Sequence, residues 1–198
     1  MEKYFEYGEK ELSYLRKKDK KLAAAIDRLG MLRRAINTDV FCSLTESIIG
    51  QQISNKAAAT VCKKLSDLSN MRPDKLHALS QEEIQACGMT MRKAGYIKGL
   101  AKHYVDKTID FEGLKNKTDD EIIKTLTKLD GIGVWTVEML LIFSLCRPDV
   151  VSFGDLAIRR GMMNLYGHKE IKKEMFLRYA KRYSPFGSVA SLYLWELS

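Results

Sequence analysis

Two stretches carry the residue types that do chemistry. The first is Leu129-Asp-Gly-Ile-Gly-Val-Trp-Thr-Val-Glu-Met-Leu-Leu141, where Gly131 and Gly133 follow one helical run and open another. Glycine permits backbone angles and close approach that side chains forbid. Amides at the start of the second helix point outward and, with the helix dipole, form an anion site suited to one phosphate. Between two helices this reads as a helix–hairpin–helix that grips a nucleic-acid backbone without reading its sequence. A tight αα-turn closed by a glycine is the plainer reading. The second stretch is Arg147-Pro-Asp-Val-Val-Ser-Phe-Gly-Asp155, followed by Leu-Ala-Ile-Arg-Arg-Gly161. Asp155 ends a loop and opens a helix, the place of an N-cap. A helix N-terminus favours negative charge, so a cap and a functional carboxylate are compatible.

Helices must position both stretches. Three prolines in 198 residues, with abundant Leu, Ala, Lys and Glu, favour that state. Leu12, Leu15, Leu22, Ile26 and Leu29 keep helical spacing up to Gly30; residues 39–50 and 55–68 each show one apolar face. Ser80 to Glu83 and Thr118 to Glu121 match the capping box. Residues 92–107, Val134–Cys146, 155–166, 169–182 and 187–197 complete the set, with no alternating strand and no repeat. The class is all-α with about ten helices. A core lobe of residues 1–38 plus 148–198 is expected to embrace an inserted lobe of 39–147, with the helix–hairpin–helix at about 119–146.

Composition narrows the partners. The net charge of +8 and pI near 9.2 suit a polyanion. Between Arg159 and Arg182 eight basic residues face only Glu170 and Glu174. The longest uncharged apolar run, Met139 to Cys146, falls short of the roughly 20 residues that span a membrane. No signal core is read at the N-terminus. Cys42, Cys62, Cys87 and Cys146 form no CxxC pair, which excludes zinc ribbons and clustered iron–sulfur sites and suits reduced, mostly buried thiols in a cytoplasmic chain. His77, His103 and His168 lack ligand spacing.

The pairing of Leu-Asp-Gly-Ile-Gly-Val-Trp-Thr with Asp-Leu-Ala-Ile-Arg-Arg-Gly resembles the helix–hairpin–helix/Gly-Pro-Asp superfamily of DNA glycosylases, within it the AlkA-type 3-methyladenine enzymes. Ser47-Ile-Ile-Gly-Gln-Gln-Ile-Ser-Asn-Lys-Ala-Ala58 and Ser184-Pro-Phe-Gly-Ser-Val-Ala-Ser-Leu-Tyr-Leu-Trp195 are similar to two further motifs in the same order, so the resemblance runs from about residue 15 to the end. It implies a two-lobed helical fold without a β domain. It implies a monofunctional hydrolase of base excision repair that flips alkylated purines (3-methyladenine, 7-methylguanine) from damaged duplex DNA, as a monomer, with the nucleoid if prokaryotic. By position, Asp155 falls on the catalytic carboxylate and Trp135 against the flipped base, where lyases of the superfamily place a lysine. Gly131, Gly133, Thr136 and Arg159 fall at DNA phosphates, and Gln52, flanked by Gln51 and Ile53, on the gap plug. Carbonyls of Thr127, Leu129 and Ile132 fall where a structural Na+ or K+ binds; no catalytic cofactor and no iron–sulfur cluster is implied. Asp130, Gly154, Ser152-Phe153 and Gly187 depart from the family pattern.

The chemistry implied is cleavage of an N-glycosidic bond through an oxocarbenium-like sugar. Asp155 would stabilise that charge, position the water, or both. A cationic alkylpurine leaves readily, and a Trp face attracts it by about 0.5–2 kcal/mol. Two other readings stay open: a DNA-binding relative with little excision, motivated by Gly154 and Gly187, and excision of deaminated or oxidised purines. Tyr166, Tyr179, Tyr183, Tyr193 and Trp195 read as core aromatics, and Glu138 as a half-buried, partnered acid.

Overall fold

The computed structural model describes residues 2–198. In chain order the helices are α1 (Glu9–Lys18), α2 (Lys20–Leu29), α3 (Val40–Gly50), α4 (Asn55–Ser69), α5 (Pro73–Ala78), α6 (Gln81–Gln85), α7 (Met91–Val105), α8 (Asp119–Leu126), α9 (Val134–Phe143), α10 (Leu156–Tyr166), α11 (Lys173–Tyr183) and α12 (Gly187–Glu196). The chain is therefore all-α, with twelve helices among the described residues rather than about ten. A short 3-10 turn covers Gly113–Asn116. One feature runs against the expectation of no strand: Lys3–Tyr4 (β1) pairs antiparallel with Ala35–Ile36 (β2), Lys3 opposite Ile36. Among the described residues no helix is long and apolar enough to cross a membrane.

Caps set the helix starts. Ser80 and Thr118 close full capping boxes with Glu83 and Glu121. Asp39, Ser54, Thr90 and Asp155 cap α3, α4, α7 and α10 through their side chains. The periodicity from Leu12 to Leu29 predicts one helix; the structure breaks it at Asp19. That carboxylate accepts from the N–H groups of Lys21 (3.1 Å) and Leu22 (3.0 Å) and so starts α2 afresh. The apolar run expected through Cys146 ends at Phe143. The run expected from 169 begins at Lys173, after a non-helical stretch that holds buried Ile171 and ends in an extended Lys172.

The chain divides into two compact units: residues up to Ile36 with Leu141–Ser198, and Asn37–Leu140. The second division falls inside α9, several residues before the expected 147/148, because its last turn with buried Leu141 and Ile142 groups with the first unit. In that first unit Leu15, Leu22, Ile26, Ile158, Met162, Phe176 and Leu192 form the centre. There α10 meets α12 backbone to backbone: a Cβ added at Gly161 would lie 1.8 Å from the Leu194 carbonyl oxygen. Of the aromatics read as core, Tyr183 and Tyr193 are buried, whereas Tyr166, Tyr179 and Trp195 are half-buried. Tyr166 donates its hydroxyl to Asp19 Oδ2 (2.5 Å), its oxygen lies 2.8 Å from that of Tyr183, and its ring stacks on Tyr179 at 3.7 Å. In the second unit Leu44, Ile48 and Ile49 of α3 share a core with Leu65, Leu76, Ile84, Ile97 and Ile122.

The thiols differ from the reading of mostly buried cysteines. Only Cys87 is buried, Cys42 and Cys62 are half-buried, and Cys146 is exposed. Desolvation raises all four pKa values, that of Cys42 to about 12 with help from the Glu46 charge. None is poised as a thiolate at neutral pH.

Candidate active site

The chemistry-bearing carboxylate lies in the first unit. Residues 147–154 run without helix from α9 to α10, laid along the N-terminal turns of α12. Ser188 ties this lead-in down at three points: its hydroxyl donates to the Arg147 carbonyl (2.5 Å), its N–H to the Pro148 carbonyl (2.9 Å), and its oxygen accepts the Val150 N–H (3.0 Å). Ser191 donates to the Val150 carbonyl (2.9 Å). Asp149 accepts from the Ser184 hydroxyl (2.5 Å) and from the Gly187 N–H (3.0 Å). This accounts for the glycine at 187. A Cβ there would sit 2.7 Å from Asp149 Oδ1 and 2.8 Å from Val151 Cγ2.

The clamped segment delivers Asp155 to the head of α10. Its N–H donates to Ser152 Oγ (3.2 Å), and its Oδ1 accepts from the Ile158 N–H (2.8 Å) and from the Trp195 indole Nε1–H (3.2 Å). The residue is only 7% exposed. Two N–H donors on one oxygen fix the plane and rotation of the carboxylate. Asp155 is thus an N-cap and a positioned charge at once. Trp195 is the residue that sequence reasoning missed by assigning it to the core. Its ring packs on Phe143 at 5.3 Å, but its N–H serves Asp155, forty positions away in the chain. No local pattern signals that pairing. Phe153 packs edge-on against Phe176 (5.2 Å), and the Arg159 guanidinium lies over its ring at 5.1 Å from the centre.

The hairpin and its neighbours lie in the second unit. Between α8 and α9 the Leu129 N–H donates to Leu126 and the Ile132 N–H to Leu129. Gly131 has φ +80°, and a Cβ there would meet Tyr96 Cδ2 at 2.4 Å, so conformation and packing both demand glycine. Gly133 is different. It is exposed, with nothing within 4 Å of an added Cβ. No internal contact requires it, and the missing side chain leaves the backbone at the head of α9 open to approach by a ligand. Trp135, in the first turn of α9, is 46% exposed rather than packed into the core. Thr136, expected at a phosphate, is instead 4% exposed, because it lies on the inward face of α9 next to buried Val137.

The segment after α3 presents Gln52 at φ +59°, exposed, followed by Ile53 at 41% exposure. Gln51 departs from the reading that groups it with the plug: its side chain turns inward and donates to the Gly131 carbonyl (2.8 Å). Two of the three histidines find local partners, whereas His77 Nδ1 is buried without one. His103 Nδ1 lies 2.7 Å from Thr108 Oγ1, and His168 Nε2 lies 2.8 Å from the Tyr179 hydroxyl. Among the described residues no three His, Cys, Asp or Glu side chains gather around a metal-sized site.

A glycine hairpin between two helices, a solvent-facing tryptophan behind it and a carboxylate capping a later helix define a helix–hairpin–helix protein of the base-excision type. Residues 45–185 match the HhH-GPD superfamily of base excision DNA repair proteins, and the chain belongs to that superfamily. It is 35% identical over 161 residues to DNA-3-methyladenine glycosylase 1 of Schizosaccharomyces pombe, spanning 78% of this chain and 71% of that protein. Among solved structures it is similar to a DNA-3-methyladenine glycosidase from Bacillus halodurans, with TM-score 0.87, 34% identity, and 98% and 91% of the two chains covered. It is also similar to the S. pombe 3-methyladenine DNA glycosylase in complex with abasic DNA, with TM-score 0.81, 31% identity, and 94% and 95% covered.

Proposed function

We propose that this chain is a monofunctional DNA glycosylase that excises N3- and N7-alkylated purines from duplex DNA. The observation that carries the reading is Asp155, a nearly buried carboxylate whose Oδ1 is held by two N–H donors at the head of α10. A fixed negative charge of this kind suits a sugar that becomes an oxocarbenium ion. The C1′–N bond of the flipped nucleotide breaks, its electron pair leaves with the base, and water adds at C1′, losing a proton. Free base and an abasic site remain. An alkylated purine is already cationic, so its departure needs no strong general acid. Trp135 offers a face for such a cation, and as an indole it has no amine to form the Schiff base that strand cleavage requires.

Flipping unstacks the target at a cost of a few kcal/mol, which Gln52 offsets by filling the gap. The open amides at Gly133 and the surplus of basic residues from Arg159 to Arg182 hold the DNA backbone. Names of similar proteins support the alkylpurine class, and the bound abasic DNA in one of them supports the product. Gly187 gives no support to a relative that has lost excision, since Asp149 explains it. The test is base release from methylated duplex DNA, with 3-methyladenine and 7-methylguanine separated by chromatography. Release of both without strand scission is expected; scission at the abasic site or release of neither base would sink the proposal.

The hairpin carbonyls of Thr127, Leu129 and Ile132 are hard oxygen donors on one turn, suited to Na+ or K+. Leu129 already accepts the Ile132 N–H at 3.2 Å but keeps a second lone pair. An ion held there would stiffen the hairpin and take no part in bond cleavage. DNA affinity at constant ionic strength should then fall by several-fold when potassium is exchanged for tetramethylammonium. Unchanged affinity would remove the ion from the reading.

A further inference from the structure

Within the second unit the exposed Gln52 loop and the hairpin are joined by three contacts, two of them from α7. Gln51 donates its side-chain Nε2–H to the Gly131 carbonyl at 2.8 Å. The N–H of the same peptide, at Ile132, donates to the Leu129 carbonyl at 3.2 Å. A trans peptide is planar with its C=O and N–H on opposite edges. The Gly131–Ile132 peptide is therefore pinned at both edges, which fixes the amides on either side of it. From α7, Lys93 donates to the carbonyls of Ile49 (2.8 Å) and Gln51 (2.5 Å), at the C-terminus of α3. An ammonium there satisfies carbonyls that the helix leaves without partners and meets the negative end of its dipole. One turn further along α7, Tyr96 lies directly beneath Gly131. So Lys93 holds the loop, Tyr96 supports the hairpin, and Gln51 links the two. Gln52 itself sits in left-handed backbone, which persists in a non-glycine residue where its surroundings over-determine it.

We infer that Gln51, Lys93 and Tyr96 are positioning residues that set the reach of Gln52 relative to the hairpin, so that gripping a phosphate and filling the gap occur as one rigid movement. The inference rests on the roles given to Gln52 and the hairpin in the glycosylase reading. It separates Gln51 from its neighbour: one glutamine enters the DNA and the other aims it.

The test uses duplex DNA with a tetrahydrofuran abasic analogue beside 2-aminopurine, whose fluorescence rises as its neighbour stack is opened. Gln51→Met should lower the equilibrium constant for the fluorescent step by about 3- to 10-fold, the worth of its one hydrogen bond, and Lys93→Met, which loses two, by at least as much. Initial binding should change less than the fluorescent step, since the basic segment from Arg159 to Arg182 is untouched. In a Gln52→Ala background the same changes should add almost nothing, because the residue they aim is gone. A full fluorescence step in Gln51→Met would overturn the inference. So would effects of Gln51→Met and Gln52→Ala that multiply, or no step with the unaltered protein. The readout needs no base release, so a protein that opens the stack but excises nothing counts against the glycosylase reading alone.

Discussion

Asp155→Asn should release methylated purines about 10²- to 10³-fold more slowly than the unaltered protein, with melting temperature and DNA affinity nearly unchanged. The physical argument rests on what asparagine keeps. Its amide oxygen can still accept from the Ile158 N–H and the Trp195 indole, as Asp155 Oδ1 does at 2.8 and 3.2 Å. Asn and Asp are about equal as N-caps, so α10 should not fray. What is lost is the fixed negative charge, and removal of one preorganised electrostatic group at a developing ion costs about 10²–10³ in rate. Trp195→Phe should act in the same direction and more weakly, by about tenfold, because it deletes one hydrogen bond to a charged group and leaves the ring packing on Phe143. Single-turnover base release, with thermal unfolding measured on the same samples, decides. Equal release by Asp155→Asn and the unaltered protein would reduce Asp155 to a helix cap. A drop in release by Trp195→Phe matched by a large fall in melting temperature would reduce Trp195 to a packing residue.

The second large effect concerns the two hairpin glycines, which should fail in different ways. Gly131→Ala should destabilise the fold. Left-handed backbone costs a non-glycine residue roughly 1–2 kcal/mol, and a Cβ 2.4 Å from the Tyr96 ring adds an overpacking cost of about 1–3 kcal/mol. The melting temperature should drop by several degrees, and DNA affinity with it. Gly133→Ala meets nothing within 4 Å and should leave stability within about 0.5 kcal/mol. Its methyl group instead stands at the open face of the hairpin, and DNA affinity should fall with a shallower dependence on salt. Equilibrium binding at several salt concentrations, alongside thermal unfolding, separates the two variants. Full DNA affinity in Gly133→Ala would remove the hairpin amides from the DNA interface.

Much of this is local and therefore legible in one dimension. A capping box spans four residues, so Ser80 with Glu83 and Thr118 with Glu121 announce helix starts that the structure contains. Asp155 as a cap three residues before Ile158 is of the same kind. The helical class follows from apolar periodicity and scarce proline, and the order of four motifs carries the superfamily. The break at Asp19 was equally local, since its carboxylate bonds residues two and three positions on. An unbroken apolar spacing across it hid that signal, because periodicity records which face is buried and not whether the axis turns.

Other features belong to packing alone. Trp135 and Trp195 are both aromatic residues in helices, and composition assigns both to a core. Only the fold exposes the first and turns the N–H of the second onto Asp155. Gln51 and Gln52 are chemically identical neighbours. A change of backbone sign at Gln52 sends one side chain to solvent and leaves the other bonded to Gly131, eighty residues away. Thr136 and Gly133 lie three residues apart in one motif, yet one is buried and the other open. The helices, their caps, the glycine hairpin and the carboxylate are readable along the chain, because hydrogen bonds within a turn depend on adjacent residues. Packing chose the indole that holds that carboxylate and the glutamine that faces outward, because those bonds join segments that only a packed core brings within hydrogen-bonding distance.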